Sequence, residues 1–342
     1  MEFDMKQILV TGGAGYIGSH FLVELLKQGF EPIVFDDFSN SCIQVFDRIK
    51  SITKKNIIWV KGDIRDVKNL NSLFEKNKFD AVVHFAGKKS VKESQDFPLD
   101  YYSVNVEGTI NLLKTMESFN VRNLIFSSTA TVYGENKGDP VTEEDPINPI
   151  NNYGKSKRMV EIILESLAKA DSRWNFCVLR YFNPVGAHPS GLIGEDPNGV
   201  PANLMPYISQ VAVGKIKKLF VYGDDYPTRD GTGARDYIHV VDLAEAHLAA
   251  LKYLEHKIAF DVFNIGTGSN TTVKEMIDTF SRVNDVKIPY EVVGRREGDS
   301  AICYANTEKA KNVLRWSSSH TLEDMCRDSW NWQSKNPSGY SD

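Results

Sequence analysis

The stretch "ILVTGGAGYIGSH", residues 8 to 20, constrains the fold more tightly than any other part of the chain. An apolar run stops at Gly12, glycines recur at 15 and 18, and a helical pattern, "IGSHFLVELLKQ", follows at once. A strand that turns directly into a helix needs glycine where the backbone folds sharply or approaches another backbone, and the helix start then points unpaired N–H groups at an anion. The G-x-x-G-x-x-G spacing is one residue longer than the common G-x-G-x-x-G and performs the same task at a pyrophosphate. Asp36 ends the next apolar run, "EPIVFDD", 24 residues after Gly12. A carboxylate there accepts hydrogen bonds from an adenosine ribose and repels a 2′-phosphate, with no arginine nearby to offset it. The expected cofactor is therefore NAD rather than NADP.

The same rhythm continues through "IIWVKGD", "DAVVHFAG", "NLIFSST" and "FCVLRYF", mostly with helical patterns between. Apolar runs of this length, ending in small or polar residues, suit strands buried on both faces. The expected fold is α/β, a Rossmann-like doubly wound parallel sheet with a smaller, discontinuous α/β substrate-binding lobe. After Phe182, proline, glycine and asparagine concentrate in "NPVGAHPSGLIGEDPNGVPANLMP" and "YGDDYPTRDGTGARDY", as in loops that build binding sites. "DVFNIGTG" then reads as a strand returning to the first sheet. These features divide the chain into an NAD-binding lobe, 1–184 with 237–267, and a second lobe from 185–236 and 268–342.

Composition excludes several partners. A net charge of -5 over 342 residues gives no reason to expect nucleic acid or an anionic membrane surface. Cys42, Cys177, Cys303 and Cys326 lack C-x-x-C spacing, so neither a disulfide framework nor a metal site is expected. No stretch approaches eighteen apolar residues and no signal peptide is apparent, which points to a cytoplasmic enzyme.

In "NNYGKSK" Tyr153 and Lys157 stand one turn apart near the start of a predicted helix, so a phenol and an ammonium can share one site. A tyrosine has a pKa of about 10, and bringing it to neutrality needs about 4 kcal/mol, which the adjacent Lys157 cation and the positive nicotinamide of NAD together can supply in a water-poor site. Asp63, ending "VKGD", either reaches an adenine edge or closes an ordinary strand-end turn. "HFAG" supplies a small-residue strand exit at Phe85, Ala86 and Gly87 through which a cofactor can pass.

With "TGGAGYIGSH", "HFAG", "FSSTATVYG", "YGKSK" and "LRYFNP" in this order, the chain resembles the extended short-chain dehydrogenases/reductases. "GAHPSGLIGEDP", "DGTGARDYIHVVDLAEAH", "RREGD" and "NWQSKNPSGY" make it similar, over nearly its whole length, to the UDP-glucose 4-epimerase family. The resemblance implies bound NAD, a UDP-hexose substrate inverted at its 4-hydroxyl through a transient 4-keto sugar, and a homodimer. It implies Tyr153 as base, Lys157 as its helper and grip on the nicotinamide ribose, and Thr129 as hydroxyl partner, with Ser128 as the alternative. Cofactor contacts carry over to Gly12, Gly15, Tyr16, Ile17, Gly18, Asp36, Asn40, Asp63, Ile64, Phe85, Ala86, Gly87, Lys89, Asn105, Ser127, Tyr153, Lys157 and Tyr181. Substrate contacts carry over to Lys89, Thr129, Tyr153, Phe182, Asn183, Asn203, Leu204, Phe220, Tyr222, Arg235, Arg296, Asp299 and Cys303.

Two positions depart from close relatives: Ala202 replaces a frequent asparagine and Asn152 a frequent proline. Cys303 matches the position bordering the sugar's 2-substituent, where some relatives carry tyrosine. A small side chain there leaves room for an N-acetyl group, so UDP-GlcNAc and UDP-GalNAc are expected substrates beside UDP-glucose and UDP-galactose. Dehydratases of this class carry Asp-Glu after the catalytic threonine, where this chain has Ala130 and Thr131. A UDP-glucuronate epimerase or a non-catalytic NAD-sensing module are the remaining alternatives.

Overall fold

The computed structural model describes residues 5–135, 138–296 and 300–341. Its centre is a seven-stranded parallel sheet made of β1 (Gln7–Thr11), β2 (Glu31–Asp36), β3 (Ile58–Lys61), β4 (Ala81–His84), β5 (Asn123–Thr129), β6 (Asn175–Tyr181) and the strand Phe260–Ile265. Across the sheet the order runs Phe260–Ile265, β6, β5, β4, β1, β2, β3. Connections therefore wind one way from β1 to β3 and the other way from β4 onward, and a crevice opens beyond the ends of β1 and β4 where the direction reverses. The register Thr11↔His84 places the glycine loop directly beside the "HFAG" exit.

Alternate side chains of the strands enter two cores, as buried strands require. Ile8, Val10, Phe21, Leu25 and Leu251 pack on one face, and Leu9, Phe35, Leu112, Phe126 and Leu164 on the other. The helix α1 (Tyr16–Lys27) packs against Val240–Leu254, so the first and a late segment of the chain share one layer.

A third core, with Met205, Ile208, Phe280 and Met325, joins the helices Leu204–Ala212, Val273–Asn284 and Leu322–Lys335. Two of these helices start with capping boxes, Thr272 with Glu275 and Thr321 with Asp324, which satisfy backbone donors and fix where each helix begins. The strands Leu219–Tyr222 and Tyr290–Val293 pair beside this core, and Ala234–Arg235 pairs with both Thr271–Thr272 and Ile302–Cys303. The four thiols are free. Among the described residues no helix is long and apolar enough to cross a membrane.

Candidate active site

The glycine loop is shaped by contacts that only glycine tolerates. Gly12 has φ +69°, and a Cβ there would lie 2.5 Å from the Ala86 nitrogen. A Cβ on Gly18 would lie 2.5 Å from the Gly12 carbonyl oxygen. Gly15 caps α1 without any side-chain hydrogen bond, and the first turn carries no acidic residue, so its N–H groups are left for an anion.

Asp36 is 7% exposed and ties this loop to β2. One carboxylate oxygen accepts from the Ala14 N–H at 2.9 Å; the other accepts from the Phe38 N–H and the Ser41 hydroxyl, each at 2.9 Å. Burial raises its pKa, against the pull of those bonds. With one donor on Oδ2, a further acceptor site is open to a ribose hydroxyl. Asp63 is gripped by Arg65, Nη2 to Oδ2 at 2.6 Å, which holds its carboxyl below the usual range.

Exposed Asn40 accepts from the Asn198 amide at 3.1 Å, and the Tyr16 hydroxyl donates to the Gly186 carbonyl at 2.7 Å. Ile17 packs on the core and Ile64 is buried beneath Gly108. The Phe85 ring turns inward, 4.8 Å from the His247 ring, so in the segment Phe85–Gly87 it is the backbone that borders the loop.

Tyr153 and Lys157 occupy the start of the helix Asn152–Ala170, capped by the Asn151 side chain on the Gly154 N–H at 2.8 Å. Thr129 is the side chain that acts on the Tyr153 phenol, favouring its ionised form. Thr129 Oγ1 also accepts from the Thr131 N–H at 3.2 Å. Lys157 Nζ donates to the Ser127 carbonyl at 2.9 Å and lies 4.9 Å from the centre of the Phe126 ring. Ser128 points elsewhere: its hydroxyl donates to Glu161 at 2.6 Å.

Asn105 sits in a π-helical stretch, Tyr102–Glu107, and its amide holds the Lys88 backbone, accepting at 2.8 Å and donating at 3.0 Å. The Tyr181 hydroxyl meets His247 Nε2.

Burial pushes Tyr153 up to about 12, with the Thr129 side chain acting downward; the expected lowering draws on the nicotinamide cation as well as on Lys157. Loss of hydration penalises the phenolate more than its surroundings favour it, and the Lys157 ammonium gives one of its three N–H bonds to Ser127. Burial also lowers Lys157 itself to about 8, opposed by Glu161.

The remaining expected residues fall into small groups. Lys89 pairs with Glu195 at 3.0 Å, and the Asn203 amide, just before Leu204 opens its helix, reaches the same carboxylate at 3.4 Å. Phe182 is buried in a cluster on which Cys303 packs. Cys303 pairs in register with Arg235, which donates to the Ala234 carbonyl at 2.9 Å. Asn183 is exposed. Phe220 and Tyr222 share a strand; the Lys218 ammonium stands 5.4 Å from the first ring and the Arg296 guanidinium 5.5 Å from the second. Asp299 lies outside the described residues. Sequence reasoning passed over Glu195 and Glu161, neither of which sits in a pattern that spacing alone singles out.

A glycine loop at the sheet's reversal point, beside a tyrosine, lysine and threonine at the strand ends, defines a dinucleotide-dependent oxidoreductase-type site of the extended short-chain dehydrogenase/reductase class. Residues 9–329 match the family model described as GDP-mannose 4,6 dehydratase. The chain is 52% identical to a UDP-glucose 4-epimerase of Bacillus subtilis, covering 97% of this chain and 98% of that one. A crystal structure of UDP-glucose 4-epimerase from Stenotrophomonas maltophila, with bound NAD and formylated UDP-arabinopyranose, superposes with a TM-score of 0.94 at 46% identity, covering 97% of this chain and 99% of that chain. The UDP-Glc/GlcNAc 4-epimerase of Campylobacter jejuni superposes with a TM-score of 0.83 at 38% identity, covering 96% and 99%. The chain belongs to the UDP-glucose 4-epimerase family.

Proposed function

We propose that the protein interconverts UDP-glucose and UDP-galactose by inverting the sugar 4-hydroxyl, with NAD as a retained cofactor. The observation that carries this reading is the buried Lys157, one turn from Tyr153 and anchored on the Ser127 carbonyl at 2.9 Å, with Gly87 beside its ammonium and Ala86 against Gly12 of the glycine loop. The cradle suits NAD: an uncapped helix start for the pyrophosphate, an acceptor site on Asp36 for the ribose, and Lys157 for the nicotinamide ribose. When bound, NAD takes hydride from sugar C4 and returns it, and its positive ring favours the Tyr153 phenolate.

Tyr153 takes the proton of the 4-hydroxyl and later gives it back. At pKa about 12 only about one phenol in 10⁵ is ionised at pH 7, so the base forms when cationic neighbours close around it. The Thr129 hydroxyl accepts from the Thr131 N–H at 3.2 Å and lies 3.1 Å from the Thr131 hydroxyl, which it exchanges for the reacting oxygen when substrate is bound. If the keto sugar turns about its link to the diphosphate before hydride returns, C4 receives it on the opposite face and is inverted. Arg235 and Arg296 would hold the diphosphate meanwhile. Elimination of water is disfavoured, because Ala130 and Thr131 offer no carboxyl group.

The finer assignments belong to the same reading. Cys303, small and partly buried beside Arg235, leaves space for a 2-acetamido group, which supports UDP-GlcNAc and UDP-GalNAc as further substrates. The NAD-binding lobe comprises 1–184 with 237–267; the rest binds the nucleotide sugar. The working form is a cytoplasmic homodimer. Incubation with UDP-galactose and a coupled assay for UDP-glucose tests the activity. Absence of product, or consumption of NAD in proportion to product, would reject it.

A further inference from the structure

Glu161 lies one turn beyond Lys157 and two beyond Tyr153 on the helix Asn152–Ala170, and it is 0% exposed. One carboxylate oxygen accepts from the Ser128 hydroxyl at 2.6 Å and from Arg180 Nε at 3.0 Å. The other accepts from Arg180 Nη2 at 2.9 Å and Arg158 Nη1 at 3.1 Å. Arg180 also donates to the Tyr133 hydroxyl at 2.8 Å, which donates to Asn264 at 2.6 Å.

Two successive residues of β5 thus each engage one residue of a single helical stripe: Ser127 takes Lys157 and Ser128 takes Glu161; the next residue of the strand, Thr129, is the side chain that acts on Tyr153. We propose that Glu161 is a positioning residue for proton transfer, fixing the helix against β5 so that Tyr153 and Lys157 sit at Thr129 and Ser127. A buried carboxylate with four donors has few other satisfied arrangements, and a slide of one residue, about 1.5 Å, would strand it together with Arg180. The inference rests on the assignment of proton transfer to Tyr153 and Lys157.

Its negative charge has a second effect, favouring the Lys157 cation against burial. Lys157 faces the Phe126 ring and Ser127 carbonyl from β5, and from β4 His84, which burial keeps neutral by lowering its pKa to about 3. Tyr153 and Glu161 flank it on its own helix. Glu161 in turn faces Ser128 from β5, Arg180 from β6 and Arg158 from its own helix.

The test compares Glu161→Gln and the milder Ser128→Ala in the purified, NAD-containing protein, using UDP-galactose. Leu164→Ala, a core change on the same helix, is the stability control. Glu161→Gln should lower kcat by about tenfold or more, leave KM nearly unchanged, and move the alkaline limb of the kcat–pH profile to lower pH. Ser128→Ala should lower kcat less, again sparing KM. Leu164→Ala should lower the melting temperature without moving the pH profile.

If Glu161→Gln does not fold, the kcat-against-KM split in Ser128→Ala decides. Wild-type kcat in Ser128→Ala, a wild-type pH profile in a folded Glu161→Gln, or the same pH shift in Leu164→Ala would overturn the inference. An inactive wild-type protein would instead overturn the functional reading beneath it.

Discussion

Replacing Lys157 by methionine should stabilise the folded protein while nearly abolishing turnover. The side chain is 5% exposed, and burial lowers its pKa from 10.5 to about 8. That fall corresponds to about 3 kcal/mol of disfavoured charge. Between those two values the unfolded lysine holds more protons than the folded one. Stability therefore rises with pH across the window by about 1.4 kcal/mol per pH unit, and the whole cost stands below the lower value.

Methionine fills a similar volume without the charge and forfeits the bond to Ser127, worth about 1 kcal/mol. The net gain at pH 7 is about 2 kcal/mol, or about 3 °C in melting temperature for a chain of this length. Calorimetric melting of both proteins freed of NAD, from about pH 7 to 9.5, reads it directly, because a cofactor that touches Lys157 would itself shift the lysine's titration. The advantage of methionine should shrink as pH passes 8. A difference that stays constant over the whole range would refute the argument that a buried cation carries the cost.

Three further outcomes follow from single contacts. Tyr153→Phe should retain NAD and nucleotide sugar yet lose at least about 100-fold in kcat, measured by steady-state kinetics beside ligand binding. Cys303→Tyr should suppress turnover of the N-acetylated UDP-hexoses while largely sparing UDP-galactose; equal losses on both would place the limiting wall elsewhere. Gly12→Ala, with its Cβ driven to 2.5 Å from the Ala86 nitrogen at φ +69°, should cost about 1–3 kcal/mol in urea unfolding. It should also reduce the NAD released when the purified protein is denatured.

The sheet was legible because its signals are local: each strand is a short apolar run with a polar or small exit, and Gly12 and Gly18 are required by backbone contacts. The site was legible as a set of residues but not as a set of partners. Asp36 looks from sequence like a ribose acceptor; that it also holds the Ala14 N–H depends on how the loop folds back over β2. Ser128 and Thr129 are equivalent hydroxyls in a string of letters, yet one donates to Glu161 and the other bonds to Thr131 at the strand's end. Y-x-x-x-K spacing likewise brings the ammonium near the phenol but does not reveal that Ser127 takes one of its hydrogen bonds. The π-helical turn that presents Asn105 follows from packing, with no composition cue in "YSVNVE".

The parallel pairing of Phe260–Ile265 with β6 bears on how the chain is made. Roughly 80 residues separate the two strands, so at synthesis rates of ~5–20 residues per second β6 waits ~4–16 s for its outer neighbour. During that interval "NFCVLRY", buried along its whole length in the finished fold, presents an open row of N–H and C=O groups flanked by apolar side chains. Such an edge pairs readily with strands of other nascent chains. Slow elongation within residues 182–259 lengthens this exposure, and codon choice or chaperone access there therefore governs how much of the protein reaches its folded state.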